Sequence, residues 1–139
     1  MNHFKEILES HPNPAFFEKV HASELVTRLF DCAEVCSACA DACLAETHVE
    51  SLKRCIRINQ DCADICFTTG KILMRQFETE SKLVRAQLEV CRIVCRMCEL
   101  ECEKHAGIHN HCRICADSCS ALEVLCAQAI SAFPTAAKV

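Results

Sequence analysis

Apolar positions and cysteines recur at alternating steps of four and three along most of the chain. One run reads Leu25, Leu29, Cys32, Cys36, Cys39, Cys43, and a second Leu52, Cys55, Asn59, Cys62, Cys66, Thr69, Leu73. A third reads Val84, Leu88, Cys91, Cys95, Cys98, Cys102, His105, and a fourth Ile108, Cys112, Cys115, Cys119, Leu122, Cys126, Ala129, Phe133. This is the a/d rhythm of helices that share one core. It predicts an all-α protein, an antiparallel up-down four-helix bundle with a cysteine-lined core. The helices are expected near 14–46, 48–75, 80–104 and 110–132 of a single 139-residue domain.

Local signals mark the ends. Asn13-Pro14 suits a helix start, with Asn as N-cap and Pro in the first turn. Thr47-His48-Val49-Glu50 has the form of a capping box for the second helix. Thr79 or Ser81 is expected to cap the third, Gly107 to take its C′ position, and His109 or Asn110 to open the fourth. Gly70 is a weak point inside the second helix, costing up to about 1 kcal/mol. Residues 1–12 and 134–139 read as frayed ends. Short connections make consecutive helices antiparallel neighbours. The first and third helices carry the same C-x3-C-x2-C-x3-C grid, a trace of repetition or of a shared need to face one lumen.

Composition agrees with helix. There is no Trp or Tyr, with two Gly and three Pro, so β-formers and turn residues are scarce. The net charge is -4 with both signs interspersed, which excludes a basic nucleic-acid footprint. No apolar run is expected to span a membrane. The first residues, MNHFKEILESHPNPAFF, lack the apolar stretch of a signal peptide.

Fifteen cysteines change the picture. A disulfide scaffold fits them poorly. The number is odd, and cysteines three or four apart on one helix have nearly parallel Cβ vectors. The thiols are therefore expected free or metal-bound, in a reducing cytoplasm. Buried free Cys can also serve as an inert small hydrophobe in a structural or interaction bundle. A seam nearly filled with it, however, underpacks the core relative to Leu or Ile. Metal ions are the natural filling.

Soft thiolates select Cu(I), zinc or iron–sulfur clusters. Zinc prefers four convergent ligands in a closed tetrahedron, and a continuous column does not divide into such sets. Cys32-x3-Cys36-x2-Cys39 and Cys91-x3-Cys95-x2-Cys98 match short iron–sulfur spacings, but a rigid helix does not wrap a cluster as a loop does. Charge favours a monovalent ion. About one cation per thiolate leaves a near-neutral column, whereas zinc on four thiolates leaves each site near -2. The expected cargo is thus several Cu(I) ions, roughly one per cysteine. A zinc or general thiophilic-metal buffer is the alternative.

Antiparallel packing gives the column two ends. Cys43, Cys55, Cys102 and Cys112 gather at one, with His48, His105, His109 and His111 around them. Leu25, Leu29, Phe30, Leu73, Phe77, Val84, Leu88 and Phe133 are expected to plug the other. Imidazole is a labile soft landing site, so metal is expected to arrive at the His end. His105 continues the third seam one step past Cys102; with His109 and His111 it joins the fifteen cysteines as a candidate ligand. His48 reads as solvated, and His3, His11 and His21 lie far along the chain from this mouth. Met97 and Met74 read as packing residues. Asn59 takes a slot the pattern would give to Cys, to bond a thiolate, to set register or merely to line a cavity. Leu122 interrupts the fourth seam near the closed half.

These cysteine-lined helices, with His105, His109 and His111 at one end and no export signal, resemble the bacterial copper storage proteins, specifically their cytosolic branch. Exported members differ in having a leader peptide and a methionine-rich entrance. The resemblance covers residues 25–133. It implies Cu(I) storage or sequestration without catalysis, a four-helix bundle and a homotetramer. A copper chaperone or a low-molecular-weight thiol is the kind of exchange partner such a store would use; neither nucleic acid nor membrane is implied.

Overall fold

The computed structural model describes residues 3–12 and 22–132. Helix α1 spans His3–Ser10, α2 Ala22–Leu44, α3 Lys53–Met74, α4 Ser81–Glu103 and α5 Asn110–Ser131, with a 3-10 turn at Val49–Leu52 before α3. Among the described residues there is no strand. Helix α2 packs on α3 and α5, and α4 packs on the same two. That closed ring is the up-down bundle the four seams predict. The diagonal pairs face each other across a lumen.

The bundle forms because each seam supplies one continuous inward row. Leu25, Leu29, Leu73, Val84, Leu88 and Leu122 are buried in the core, together with all fifteen cysteines. Burying a Leu contributes about 1.5–3 kcal/mol, more than the smaller Cys side chain can. Helix α5 is long and apolar enough, by length and composition, to cross a membrane, contrary to the sequence expectation. Its hydropathy is that of a core helix: Cys112, Cys115, Cys119 and Cys126 are all on its lumen side and fully buried.

Several local expectations change. Residues 3–10 are helical rather than frayed, and Phe4 and Leu8 of α1 lie against the core. The Thr47 capping box does not form. His48 takes the N-cap position of the 3-10 turn, without a side-chain cap, and the extra turn absorbs the reversal. Thr79 Oγ1 donates to the Gln76 carbonyl, not to α4, whose N-cap is Glu80. Gly107 does not adopt a positive φ, because successive turns over 104–108 carry the chain from α4 to α5. His109 is the N-cap of α5, as expected. The Asn13-Pro14 start, His21 and Phe133 lie outside the described residues.

The plug is also smaller than expected. Phe77 is 73% exposed; at the opposite end Ile108, the first residue of the fourth seam, is 82% exposed. Both sit in connections where the helical period no longer fixes direction. Phe30 lines a groove between α2 and α3, with Ala33, Ala63 and Phe67. Its ring meets Phe67 edge-on at 5.5 Å between centroids. Gly70 permits this approach, since a Cβ there would stand 3.0 Å from the Phe30 ring. The predicted weak point of α3 is a packing site.

Candidate metal centre

Helical repeat sets the first distances in the lumen. Cysteines four apart bring their sulfurs to 3.8 Å in Cys32/Cys36 and Cys62/Cys66, and to 3.9 Å in Cys98/Cys102. Neighbouring helices supply the rest. Cys119 lies 3.8 Å from Cys32 and 3.7 Å from Cys36, and Cys115 lies 3.7 Å from Cys36. Cys66 is 3.9 Å from both Cys91 and Cys95. Cys55 meets Cys102 at 3.7 Å, and Cys43 meets Cys112 at 4.0 Å. A metal–sulfur bond of about 2.3 Å places two sulfurs about 4.6 Å apart in a linear unit. Small side-chain rotations therefore open these pairs to an ion.

The thiols group in sets whose ligand atoms all lie within 4.8 Å of one another. Cys32, Cys62, Cys66 and Cys95 form one set; Cys32, Cys36, Cys62 and Cys119 form the next; Cys36, Cys98, Cys115 and Cys119 form a third. Cys39 joins Cys102 and Cys115 in one set and Cys43, His111 and Cys112 in another. The sets share members. Isolated four-thiolate sites cannot all be filled at once, which is the geometry of a column rather than of closed knuckles. Cys126 ends it, its thiol held above the ordinary range first by its interaction with Cys91 and then by burial.

Asn59 sits fully buried in the middle. Its Nδ2 donates to the Cys55 carbonyl at 2.8 Å and to the sulfurs of Cys55 and Cys102 at 3.3 and 3.5 Å. Its Oδ1 accepts from Cys115 at 2.8 Å and from Cys98 at 3.4 Å. Of the roles the sequence leaves open, sulfur bonding is the one observed. Cys55 is drawn below the ordinary thiol range, by Cys102 first, then Cys39, with the His105 charge adding to this. Cys36 is held far above it, by Cys115 and Cys119 first and then by burial.

At the mouth, burial pushes the Cys43 thiol up to about 11. Burial raises Cys112 too, and a charge on Cys43 raises it further. His111 reaches this rim: its Nδ1 is 3.5 Å from Cys39, 3.6 Å from Cys112 and 3.9 Å from Cys43. Its Nε2 lies 2.8 Å from Glu46 Oε2, and His109 Nδ1 lies 2.9 Å from the same oxygen. The two imidazoles stack with centroids 5.3 Å apart. The bond from His111 holds the Glu46 carboxyl below its ordinary range. His105 stands across the mouth. Its Nε2 is buried, 3.4 Å from Glu101 Oε2, without hydrogen-bond alignment.

Two carboxylates at the mouth escape the sequence reading. Glu46 follows Cys43 by three residues, the next step of the first seam, and that signal could have found it. Glu101 is buried beside Cys102 and receives Arg54 at 3.2 Å and Lys104 at 3.0 Å; being four before His105 was its signal. His48 is exposed at the rim. His3 pairs with Glu6 on the exposed face of α1. Met97 lines an outer groove with Val90 and Ile93 instead of the lumen.

Known proteins share this arrangement. A sequence model described as copper storage protein matches residues 18–131. The copper storage protein Ccsp from Streptomyces lividans, in a structure loaded with 10 copper equivalents, is 36% identical with a TM-score of 0.88, over 92% of this chain and 98% of that one. A cytosolic copper storage protein from the same organism, in a copper-loading structure with five coppers, is 41% identical with a TM-score of 0.78, over 79% and 92% of the two chains. The cysteine-rich protein YhjQ of Bacillus subtilis (strain 168) is 31% identical over 96 residues, 69% of this chain and 83% of that protein. With its buried thiol column and a family match that spans all four helices of the bundle, the chain belongs to the copper storage protein family.

Proposed function

We propose that the protein stores Cu(I) on the lumen thiolates, with His105, His109 and His111 as ligands at the loading mouth and with no catalytic step. The observation that carries this reading is the fifteen buried thiols in overlapping sets. Overlap requires bridging thiolates, and bridging suits an ion of low charge and low coordination number. At one Cu(I) per thiolate the column is near neutral, so about fifteen ions are expected. The Streptomyces relative loaded with 10 copper equivalents supports a many-ion store. Sets of four thiols also suit tetrahedral zinc, which is the second reading; sharing of Cys32, Cys36, Cys62 and Cys119 between sets weighs against it.

The resemblance to a protein described as cytosolic supports a cytoplasmic store. A homotetramer and a copper-donating or thiol exchange partner belong to the same proposal. Anaerobic titration of reduced protein with Cu(I), against a chromogenic chelator, tests the core of it. The expected result is tight uptake of more than ten ions, about one per cysteine. Saturation at one or two ions sinks storage. Equal retention of zinc under competition favours the buffer reading.

A further inference from the structure

We propose that Glu46 is a positioning residue that locks His109 and His111 in opposite tautomers, so that the pair forms an outer and an inner station for copper. The proposal deepens the storage reading and rests on it.

One carboxylate oxygen serves both rings. Glu46 Oε2 lies 2.9 Å from His109 Nδ1 and 2.8 Å from His111 Nε2. An ionised carboxylate only accepts hydrogen bonds, so each of those nitrogens carries a proton. A neutral imidazole has one proton, which leaves the other nitrogen of each ring as a bare lone pair. In His111 the bare atom is Nδ1, the atom that faces Cys39, Cys43 and Cys112. In His109 it is Nε2, on the far side of the ring from Glu46. The shared carboxylate thus gives one ring an inward donor atom and the other a donor atom directed elsewhere. Stacking at 5.3 Å and 20° between planes keeps the stations adjacent.

Glu46 itself is a poor resting place for a soft ion, since carboxylate oxygen is a hard ligand. Its work is done through the imidazoles, as carboxylates behind ligating histidines commonly do. The placement is economical in the sequence. Glu46 lies two residues past the end of α2, and His109 and His111 flank the N-terminus of α5. One carboxylate therefore ties the α2 and α5 corners of the mouth together. His105, on the α4 side, lies 3.4 Å from a different carboxylate, Glu101, without a hydrogen bond to it.

The test reads tautomers directly and needs no copper. Long-range proton–nitrogen NMR correlations of the reduced, metal-free, 15N-labelled protein should show His111 protonated at Nε2 and His109 protonated at Nδ1. In Glu46→Ala both rings should become tautomer mixtures. The initial rate of Cu(I) uptake from a chelator should then fall about tenfold, in the range found for losing such a partner, while the number of ions at saturation stays the same. Glu46→Gln, which retains one acceptor oxygen, should recover part of the rate. Finding His111 protonated at Nδ1 in the wild type overturns the proposal, as does a Glu46→Ala protein with unchanged tautomers and unchanged uptake. Saturation of the wild type at one or two ions refutes storage instead, and leaves the tautomer result standing on its own.

Discussion

Asn59→Cys separates the two things Asn59 does. In the metal-free protein its amide makes five hydrogen bonds, to Cys55 O and to the sulfurs of Cys55, Cys98, Cys102 and Cys115. A net hydrogen bond is worth about 0.5–1.5 kcal/mol, and weak sulfur partners belong at or below the low end. The Cys55 carbonyl keeps its helical partner after the change. Cysteine recovers some of the S–H contacts, so the substitution should cost the metal-free protein about 1–3 kcal/mol in total. That corresponds to a fall in Tm of roughly 3–10 °C for a chain of this size. In the loaded protein the sulfur partners belong to metal, so the cost should shrink. The new thiol also occupies the empty step of the α3 seam, beside sulfurs that Asn59 already reaches. Copper capacity should therefore rise by about one ion on the charge argument. Urea unfolding with and without copper, paired with anaerobic titration, measures both quantities. An unchanged capacity with the introduced thiol reduced and reactive would refute the view that seam position alone makes a cysteine a ligand. A variant at least as stable as the parent without metal would refute the hydrogen-bond accounting.

The metal-free protein should also lose stability in alkali. Burial raises the Cys43 thiol from 9.0 to about 11, so the unfolded chain ionises first. The stabilising contribution is intact below pH 9 and is lost as pH climbs toward 11; denaturant midpoints measured across that window should fall, and a flat profile contradicts the burial argument. Leu88→Ala, at a fully buried position in the aliphatic half, should cost about 2–5 kcal/mol in the metal-free protein. It should leave the number of bound ions unchanged, because Leu88 lies outside the column. A lost ion on titration would show that the column extends further than the thiols do.

Helix type, seam membership and the inward facing of every cysteine are legible in the sequence, because the period of a helix fixes direction for any residue in its interior. The same period places Asn59 in the core. It fails where the helix ends. Extending it one step before α5 and one step past α3 carries Ile108 and Phe77 into connections, and both are exposed. The caps at Thr47, Thr79 and Gly107 fail for a related reason. Capping motifs state what a residue can bond, while the path of the connecting turn decides what it does bond. Glu46 and Glu101 are easily overlooked because an acidic residue near a helix end reads as solvated. Only the fold brings Glu46 within 2.9 Å of a histidine from a helix start more than sixty residues away.

The underpacked seam explains how storage and stability are linked. A lumen of cysteines gives less burial than one of leucines, so the metal-free bundle relies on its aliphatic end and on thiol hydrogen bonds. Ions that bind only the folded lumen add stability by mass action, about 2.7 kcal/mol for each independent site at a hundredfold excess of free metal over Kd. Where burial holds a thiol proton in place at neutral pH, as at Cys43, an ion must displace it, so loading there grows tighter as pH rises while the empty protein grows weaker. The two pH trends have opposite signs because they share one cause. Burial makes the thiolate costly until a cation stands beside it.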